Sequence, residues 1–277
     1  MLIFDNHLHL RRDGRFLDAV LDFKKSGGTH FVLCHLPMIN LVIKDKNYES
    51  SFQVTLDMAD EIRSKIDIEV FVTVGPYPVD YINLKKKFGR KQTIDIMKEG
   101  MDCASSLCEE KKCIAIGEIG RPHFPVNKQI IDDSNSILFY GMEKANEVGV
   151  PVVLHTESTT PIQCKELMEM GKKAGLPPNK IVKHYSPPLI LKDENYGLMP
   201  SVLASRKNIQ DALQKGFRFM METDYIDDLR RPGAVLSPKT VPKRTHEMIE
   251  KGLLTEENSY IIHKENPEKT YNICLDG

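Results

Sequence analysis

The chain has 277 residues, of which 41% are hydrophobic and 28% are charged, a composition typical of a globular protein with one large core. Its formal net charge of −1 argues against a protein that binds nucleic acid over its whole surface, although a local basic face is compatible with it. We find no secretory leader and no apolar run of about 18 residues, so we expect a cytoplasmic protein with no membrane partner. The cysteines include no Cys-x-x-Cys pair and lack zinc-ribbon spacing; we expect reduced thiols at Cys34, Cys103, Cys108, Cys113, Cys164 and Cys274.

Short β-rich runs alternate with segments of helical period, which is typical of βα units around a parallel sheet. In chain order, strands are predicted over residues 2–7, 29–35, 69–74, 113–118, 150–155, 180–184, 198–204 and 217–223. Helices are predicted over residues 16–25, 55–66, 93–109, 130–147, 161–173 and 207–215. Eight strands with alternating helices favour a closed (β/α)8 TIM barrel over an open doubly wound sheet. We expect a single α/β domain over residues 1–277, with long connections at 36–51, 85–112 and 186–197.

Histidine and acidic side chains stand at the ends of the predicted strands. The first strand closes with Asp5-Asn6-His7-Leu8-His9, and alternate residues of a strand share a face, so Asp5, His7 and His9 are expected to point the same way. The carboxyl ends of barrel strands share one face, where barrel enzymes place their active sites. The side chains expected there are His7, His9, Glu118, His155, His184 and Asp224. Four histidines and two carboxylates predict a site for one or two divalent ions that activate a water for hydrolysis.

The same residues carry a resemblance to a known family. The sequence resembles the TatD-like branch of the amidohydrolase superfamily, metal-dependent hydrolases built on a (β/α)8 barrel. The matching segments are Asp5-x-His7-x-His9-Leu10, Gly117-Glu118-Ile119-Gly120, Pro151-Val152-Val153-Leu154-His155, His184-Tyr185-Ser186, Glu222-Thr223-Asp224 and Asn266-Pro267-Glu268-Lys269.

The resemblance implies a binuclear metal centre. By it, His7, His9 and Asp224 would hold one metal, His155 and His184 would hold the second, and Glu118 would bridge them. Asp224 would also orient or deprotonate the attacking water. No lysine ends the fourth strand, so the carbamylated lysine of related amidohydrolases is not expected.

Three segments depart from the family's usual pattern. They are Arg121-Pro122-His123-Phe124, His184-Tyr185-Ser186-Pro187-Pro188 and Tyr225-Ile226-Asp227-Asp228. Because these loops face the substrate, the metal centre carries over better than the family's DNA-cleaving activity.

Several residues beside the expected ligands are candidates for further roles. His123 and Arg121 follow Glu118 on the same loop, and either is a candidate to assist the leaving group. Asp5 is expected to orient ligands, and His35 has a possible role at the mouth. The remaining histidines, His30, His246 and His263, are expected to be structural.

Basic residues also follow the expected ligands. Arg forks match phosphate geometry, which favours an anionic substrate held by Arg11, Arg12, Arg121, Arg230 and Arg231. The densest basic run, over residues 85–91, could extend a nucleic-acid path but is more typical of the solvated end of a helix.

We therefore expect a divalent-metal-dependent hydrolase, acting on a phosphoester as a TatD-like deoxyribonuclease or phosphoesterase. The alternatives are an amide, ester or lactone hydrolase and a non-catalytic metal-binding barrel. Histidine with carboxylate favours Zn²⁺, with Mn²⁺, Fe²⁺, Ni²⁺ or Mg²⁺ as alternatives. The expected partner is an anionic small-molecule or nucleic-acid substrate; the sequence does not decide the oligomeric state. A nuclease needs a long groove, whereas a small-molecule hydrolase should be closed over by residues 36–51 and 186–197.

Overall fold

A computed structural model describes residues 1–276 and contains one sheet of parallel strands. The strands are β1 (Phe4–His9), β2 (His30–Cys34), β3 (Glu69–Val74), β4 (Ala115–Gly120), β5 (Val152–His155), β6 (Ile181–Ser186), β7 (Met199–Leu203), β8 (Met220–Glu222) and β9 (Tyr225–Ile226). From β1 to β8 each strand pairs with the next along the chain. All eight predicted strands are therefore confirmed, with bounds shifted by no more than three residues at either end.

The eighth barrel strand is split into two short pieces. Its first piece, β8, pairs with β7, and its second piece, β9, pairs with β1 through Leu8 and Tyr225. Between the two pieces the amide of Asp224 donates to the carbonyl of His7 at 2.9 Å. The last strand thus joins the first, and the sheet curls into the (β/α)8 TIM barrel that the sequence predicts.

Helices surround the barrel and fill much of the connections expected to be loops. They are α1 (Leu17–Lys25), α2 (Ile39–Asp45), α3 (Glu49–Lys65), α4 (Asp80–Phe88), α5 (Arg90–Glu109), α6 (Lys128–Glu147), α7 (Pro161–Lys173), α8 (Lys192–Asn195), α9 (Arg206–Leu213), α10 (Thr240–Glu250), α11 (Glu256–Tyr260) and α12 (Asn266–Tyr271). The basic run at Lys85, Lys86 and Lys87 forms the last turn of α4, where cations complement the helix dipole. Among the described residues, no helix is long and apolar enough to cross a membrane.

The barrel interior is filled by apolar side chains, so it is a packed core and not a pore. Each strand from β1 to β8 contributes at least one side chain to this cluster, among them Phe4, Val32, Ala115, Val153, Val182, Met199 and Met220. Tyr271 and Leu275, from the C-terminal segment, pack against the same cluster. Burying each larger side chain is worth about 1.5–3 kcal/mol. This core supports the carboxyl ends of the strands, where the polar side chains gather.

Candidate metal centre

The structure brings the six expected ligands together at the carboxyl ends of the strands. His7 is central: its Nε2 lies 3.1 Å from Nε2 of His9 and 3.1 Å from Oε1 of Glu118. The same Glu118 oxygen lies 3.0 Å from Nε2 of His184 and 3.4 Å from Nδ1 of His155. Asp224 completes the group, with its Oδ1 3.7 Å from His9 and 3.9 Å from His7.

Several atoms in this group are buried without a hydrogen-bond partner. Nδ1 of His7, Oε1 of Glu118 and Nδ1 of His155 are all orphaned in this way, although a buried polar atom without a partner is costly. Two sets of donor atoms lie within 4.8 Å of one another, His7 with His9 and Asp224, and His7 with Glu118 and His184. Imidazole and carboxylate donors at this spacing fit one or two divalent ions.

Outer contacts fix which ring nitrogen faces the centre. Nδ1 of His9 donates to the carbonyl of Cys34 at 3.1 Å, and Nδ1 of His184 donates to Oε1 of Glu222 at 3.1 Å. In both histidines Nε2 is thereby left as the free electron-pair donor, as metal-binding imidazoles require. Glu222 also accepts from the hydroxyl of Ser201. Sequence reasoning quoted Glu222 only within the Glu-Thr-Asp segment and assigned it no role.

Burial and neighbouring charge set the protonation of the cluster. Burial raises the pKa of Glu118, but the imidazoles of His184, His155 and His7 outweigh it and hold that pKa well below its usual value. Burial, together with the neighbouring His7, lowers the pKa of both His9 and His184 to about 4. Burial lowers the pKa of His7, but Cys34 and Glu118 outweigh this effect and hold that pKa well above its usual value. The ionised Glu118 beside neutral His9 and His184 is the protonation state that binds a metal.

Asp224 occupies unusual backbone between the two pieces of the last strand. Its φ of 46° lies in the left-handed region, which is rare for residues other than glycine. Asp5 stabilises this turn: its Oδ1 accepts the amide of Thr223 at 3.0 Å, and its Oδ2 accepts the Thr223 hydroxyl at 2.7 Å. Burial raises the pKa of Asp224 well above its ordinary value, despite the opposing effect of His7. Asp5 thus orients the backbone that carries Asp224, in line with its expected orienting role.

A glycine allows the fourth and fifth strands to approach each other beside the centre. Gly120 has a φ of +140°, and a Cβ on it would lie 2.1 Å from the carbonyl oxygen of His155. Any larger residue would push apart the strand ends that carry Glu118 and His155.

Two further side chains contact His155. Nδ1 of His123 lies 2.9 Å from Nε2 of His155, and the Tyr77 hydroxyl lies 3.3 Å from the same nitrogen. The structure therefore brings His123 to the centre, and its part in leaving-group chemistry stays a prediction. Tyr77 was missed, since an isolated tyrosine after a strand carries no sequence signal of its own.

The arginines do not form the expected phosphate site. Arg121 bonds Asn135 and lies 3.3 Å from Glu157 and 3.2 Å from Glu166, in a hollow between α6 and α7. Its expected role in assisting the leaving group stays a prediction, although its guanidinium already bonds these partners away from the centre. The other four are likewise paired: Arg11 with Asp13, Arg12 with Glu61, and Arg230 and Arg231 with Asp228.

The remaining histidines have local partners or stand apart from the cluster. His35 uses both ring nitrogens on α3, with Thr55 at 2.8 Å and Ser51 at 3.1 Å, so its possible role at the mouth becomes a packing role. His30 bonds Thr29 at 2.7 Å, and His263 bonds β1 and α10. His246 is exposed on α10.

A cavity of about 330 Å³ opens beside the centre. It is lined by the ends of β5 and β6, by the loops that follow β4 and β5, and by Asp224, and its lining includes His123, His155, His184 and Tyr185. None of its lining residues comes from 36–51 or 186–197. The long connections therefore do not close over this cavity, as a small-molecule hydrolase was expected to require.

Comparison with known proteins agrees with this architecture. Residues 4–272 match the family model described as TatD related DNase. An uncharacterised protein of Methanocaldococcus jannaschii, MJ1127, is 39% identical over 277 residues, covering 99% of this chain and 97% of that protein. Among solved structures, the TatD homologue YJJV from Escherichia coli superposes with a TM-score of 0.67 at 17% identity, covering 98% of each chain.

A second solved structure comes from a study of organophosphate hydrolysis engineered from a weak promiscuous lactonase template. It superposes with a TM-score of 0.66 at 12% identity, covering 98% of this chain and 95% of that one. At such identities these structures establish the shared barrel alone. The family match over nearly the whole length goes further and shows that this chain belongs to the TatD-related DNase family.

Proposed function

We propose that this member of a metal-dependent hydrolase family cleaves phosphoesters, as a TatD-like deoxyribonuclease or a related phosphoesterase. The observation that carries the proposal is the convergence of four histidines, Glu118 and Asp224 around orphaned buried atoms at the barrel mouth. Such a set is costly to bury unless it holds cations, and cations at a cavity suit an anionic ester.

The family resemblance implies two groups of donors, and the first of them is a close set in the structure. His7, His9 and Asp224 would hold one ion, and His155 and His184 would hold a second, with Glu118 between them. When bound, the ions would supply Lewis acidity and lower the pKa of a water. Imidazole with carboxylate suits Zn²⁺ in particular.

The protein's own groups hold this arrangement and handle protons. Glu222 and the Cys34 carbonyl keep His184 and His9 in the required tautomer. Asp224 lines the cavity, and its carboxylate would take a proton from the attacking water. His123 lines the cavity beside His155 and would contact the leaving oxygen.

The size of the cavity limits what enters it. About 330 Å³ lies at the small end of ligand sites, which suits one nucleotide unit or a small ester. A longer nucleic-acid substrate would have to insert one end into the cavity, with the rest of its length outside. This favours trimming of a chain end over cleavage within a long groove.

An amide, ester or lactone hydrolase is the second candidate. The same donor set supports those reactions, and the engineered structural neighbour is described by both organophosphate hydrolysis and a lactonase template. A non-catalytic barrel is less favoured, because the ligand set is complete.

The test is turnover of bis(p-nitrophenyl) phosphate by metal-stripped protein reloaded separately with Zn²⁺, Mn²⁺ or Mg²⁺. We expect metal-dependent hydrolysis that Asp224→Asn reduces by about 100-fold or more. Asp13→Asn is the matched control, since Asp13 is an exposed carboxylate that pairs with Arg11 outside the cavity. Stoichiometric metal binding without turnover of this ester would reject the phosphoester proposal and favour amides, esters or lactones.

A further inference from the structure

Tyr185 is an aromatic side chain displayed at the rim of the catalytic cavity. It follows His184 at the end of β6, lines the cavity, and is 50% exposed. Its ring centroid lies 5.9 Å from that of His184. On the loop after β4, Phe124 is 39% exposed and packs edge-on against His123 at 5.1 Å. Apolar surface left open beside a cavity is typical of a binding surface.

The backbone holds Tyr185 in a conformation that its side chain disfavours. Its φ of 51° is left-handed, which is an outlier for a bulky residue and clusters at ligand sites when it occurs. The amide of Tyr185 donates to Oε1 of Glu222 at 2.7 Å. Glu222 is fully buried and uses the same oxygen to hold His184. One carboxylate therefore holds both an expected metal ligand and the backbone that carries the aromatic ring beside it.

Packing does not account for the ring. Half of its surface is open, and its hydroxyl makes no hydrogen bond to any described residue. Glycine or asparagine would adopt the same backbone with less strain. The ring face at the rim is what distinguishes tyrosine from those residues at this position.

We propose that Tyr185 is a stacking platform for a flat aromatic group, such as a nucleobase, that the substrate carries next to its scissile ester. This inference rests on the proposed phosphoester chemistry and adds a specificity-determining residue to it. A base stacks on an aromatic face without regard to its identity, so the platform selects for an aromatic neighbour and not for a sequence. The ring and not the hydroxyl does this, so phenylalanine should replace tyrosine.

The test compares two p-nitrophenyl phosphodiesters with the same leaving group, one carrying thymidine and the other carrying a methyl group. The readout is the ratio of kcat/KM for the thymidine ester to kcat/KM for the methyl ester. Tyr185→Leu should lower this ratio by about tenfold, as expected for one lost base–aromatic stack, and Tyr185→Phe should keep it. Tyr260→Leu is the matched control, since Tyr260 is 47% exposed on α11. An unchanged ratio in Tyr185→Leu would refute the proposed stacking role of Tyr185.

A second variant separates binding from folding. Tyr185→Asn tolerates left-handed backbone, so its melting temperature should not fall, while the substrate ratio should fall as in Tyr185→Leu. Calorimetric titration with thymidine monophosphate keeps the platform testable if neither ester is hydrolysed, an outcome that would reject the phosphoester proposal alone. A tenfold weaker affinity in Tyr185→Leu supports the platform, and equal affinity refutes it.

Discussion

Two histidines of this barrel, His263 and His7, are equally buried but differ in the hydrogen bonding of their ring nitrogens. His263 is fully buried, with Nδ1 accepting the amide of Phe4 at 3.2 Å and Nε2 within 2.9 Å of the Thr245 hydroxyl. His7 is fully buried too, yet its Nδ1 has no partner, and its Nε2 faces Glu118 and His9. A buried ring with both nitrogens hydrogen-bonded stabilises the packing of the two secondary-structure elements that it joins. A buried ring left short of partners among other donors indicates a site for something the chain itself does not supply.

Of the substitutions that test this contrast, replacement of Glu118 should have the largest effect on metal binding and turnover. Glu118→Gln removes the charge that three imidazoles surround. We expect bound metal to be lost and kcat/KM to fall by more than about 100-fold, beyond the loss typical of an outer contact. Elemental analysis and turnover check this, with the exposed Glu166→Gln as control. Full metal content in the variant would show that Glu118 is not a ligand.

The next largest effect should come from Glu222, which holds a ligand without facing the centre. Glu222→Gln weakens the contact to Nδ1 of His184, so metal affinity should fall by about 10–100-fold. Competition against a chromogenic chelator measures this affinity, and Glu194→Gln, remote from the cavity, provides the comparison. An unchanged metal affinity would show that Glu222 stabilises the barrel and does not orient a metal ligand.

His263 should report on stability and pH instead of on metal. Burial lowers its pKa to about 4, while the unfolded chain titrates near 6.5. Between these values the unfolded state binds more protons, so the contribution of His263 to stability is lost as pH falls from 6.5 through 4. The slope is at most about 1.4 kcal/mol per pH unit. Urea unfolding at pH 7, 6 and 5 should give a flatter profile for His263→Gln; parallel profiles would contradict this.

The smallest effect is expected at Arg230, a residue that the sequence suggested for phosphate. Its side chain is 78% exposed and already paired with Asp228 at 3.0 Å. Because that charge is compensated away from the cavity, Arg230→Gln should change KM for a phosphodiester by less than about twofold. A tenfold rise in KM, measured at constant ionic strength, would return this arginine to the substrate site.

The sequence was sufficient for the barrel and for the gathering of the expected ligand side chains, because both depend on local pattern. Apolar runs ending in histidine or acid place these side chains at strand ends whatever the details of the connections. The split of the last strand was not predictable, because it depends on the left-handed turn at Asp224 and on Asp5 across the seam. Helix α2 was also missed, since it has only seven residues and so short an apolar run does not distinguish a helix from a strand.

The roles of the charged side chains were the hardest to predict from the sequence. Arginines near the expected ligands were assigned to phosphate binding. Each of them instead forms an ion pair with a carboxylate that is near it in the sequence or in the fold. For Arg121 the partners are Glu157 and Glu166, which lie 36 and 45 positions along the chain. Pairings over such separations depend on how helices pack beside the barrel, and the sequence pattern carries no information about that.

The seam between the first and last strands has a consequence for how the protein is made. Asp5 and Thr223, which join across it, are 218 positions apart, and the turn they stabilise carries Asp224. Contacts of such long range form late, since a large loop must close first. During synthesis the strand carrying His7 and His9 is made well before the segment carrying Asp224, against which it must pack. Assembly of the candidate metal centre is therefore tied to closure of the barrel, and a chain that ends before Asp224 holds only part of the donor set.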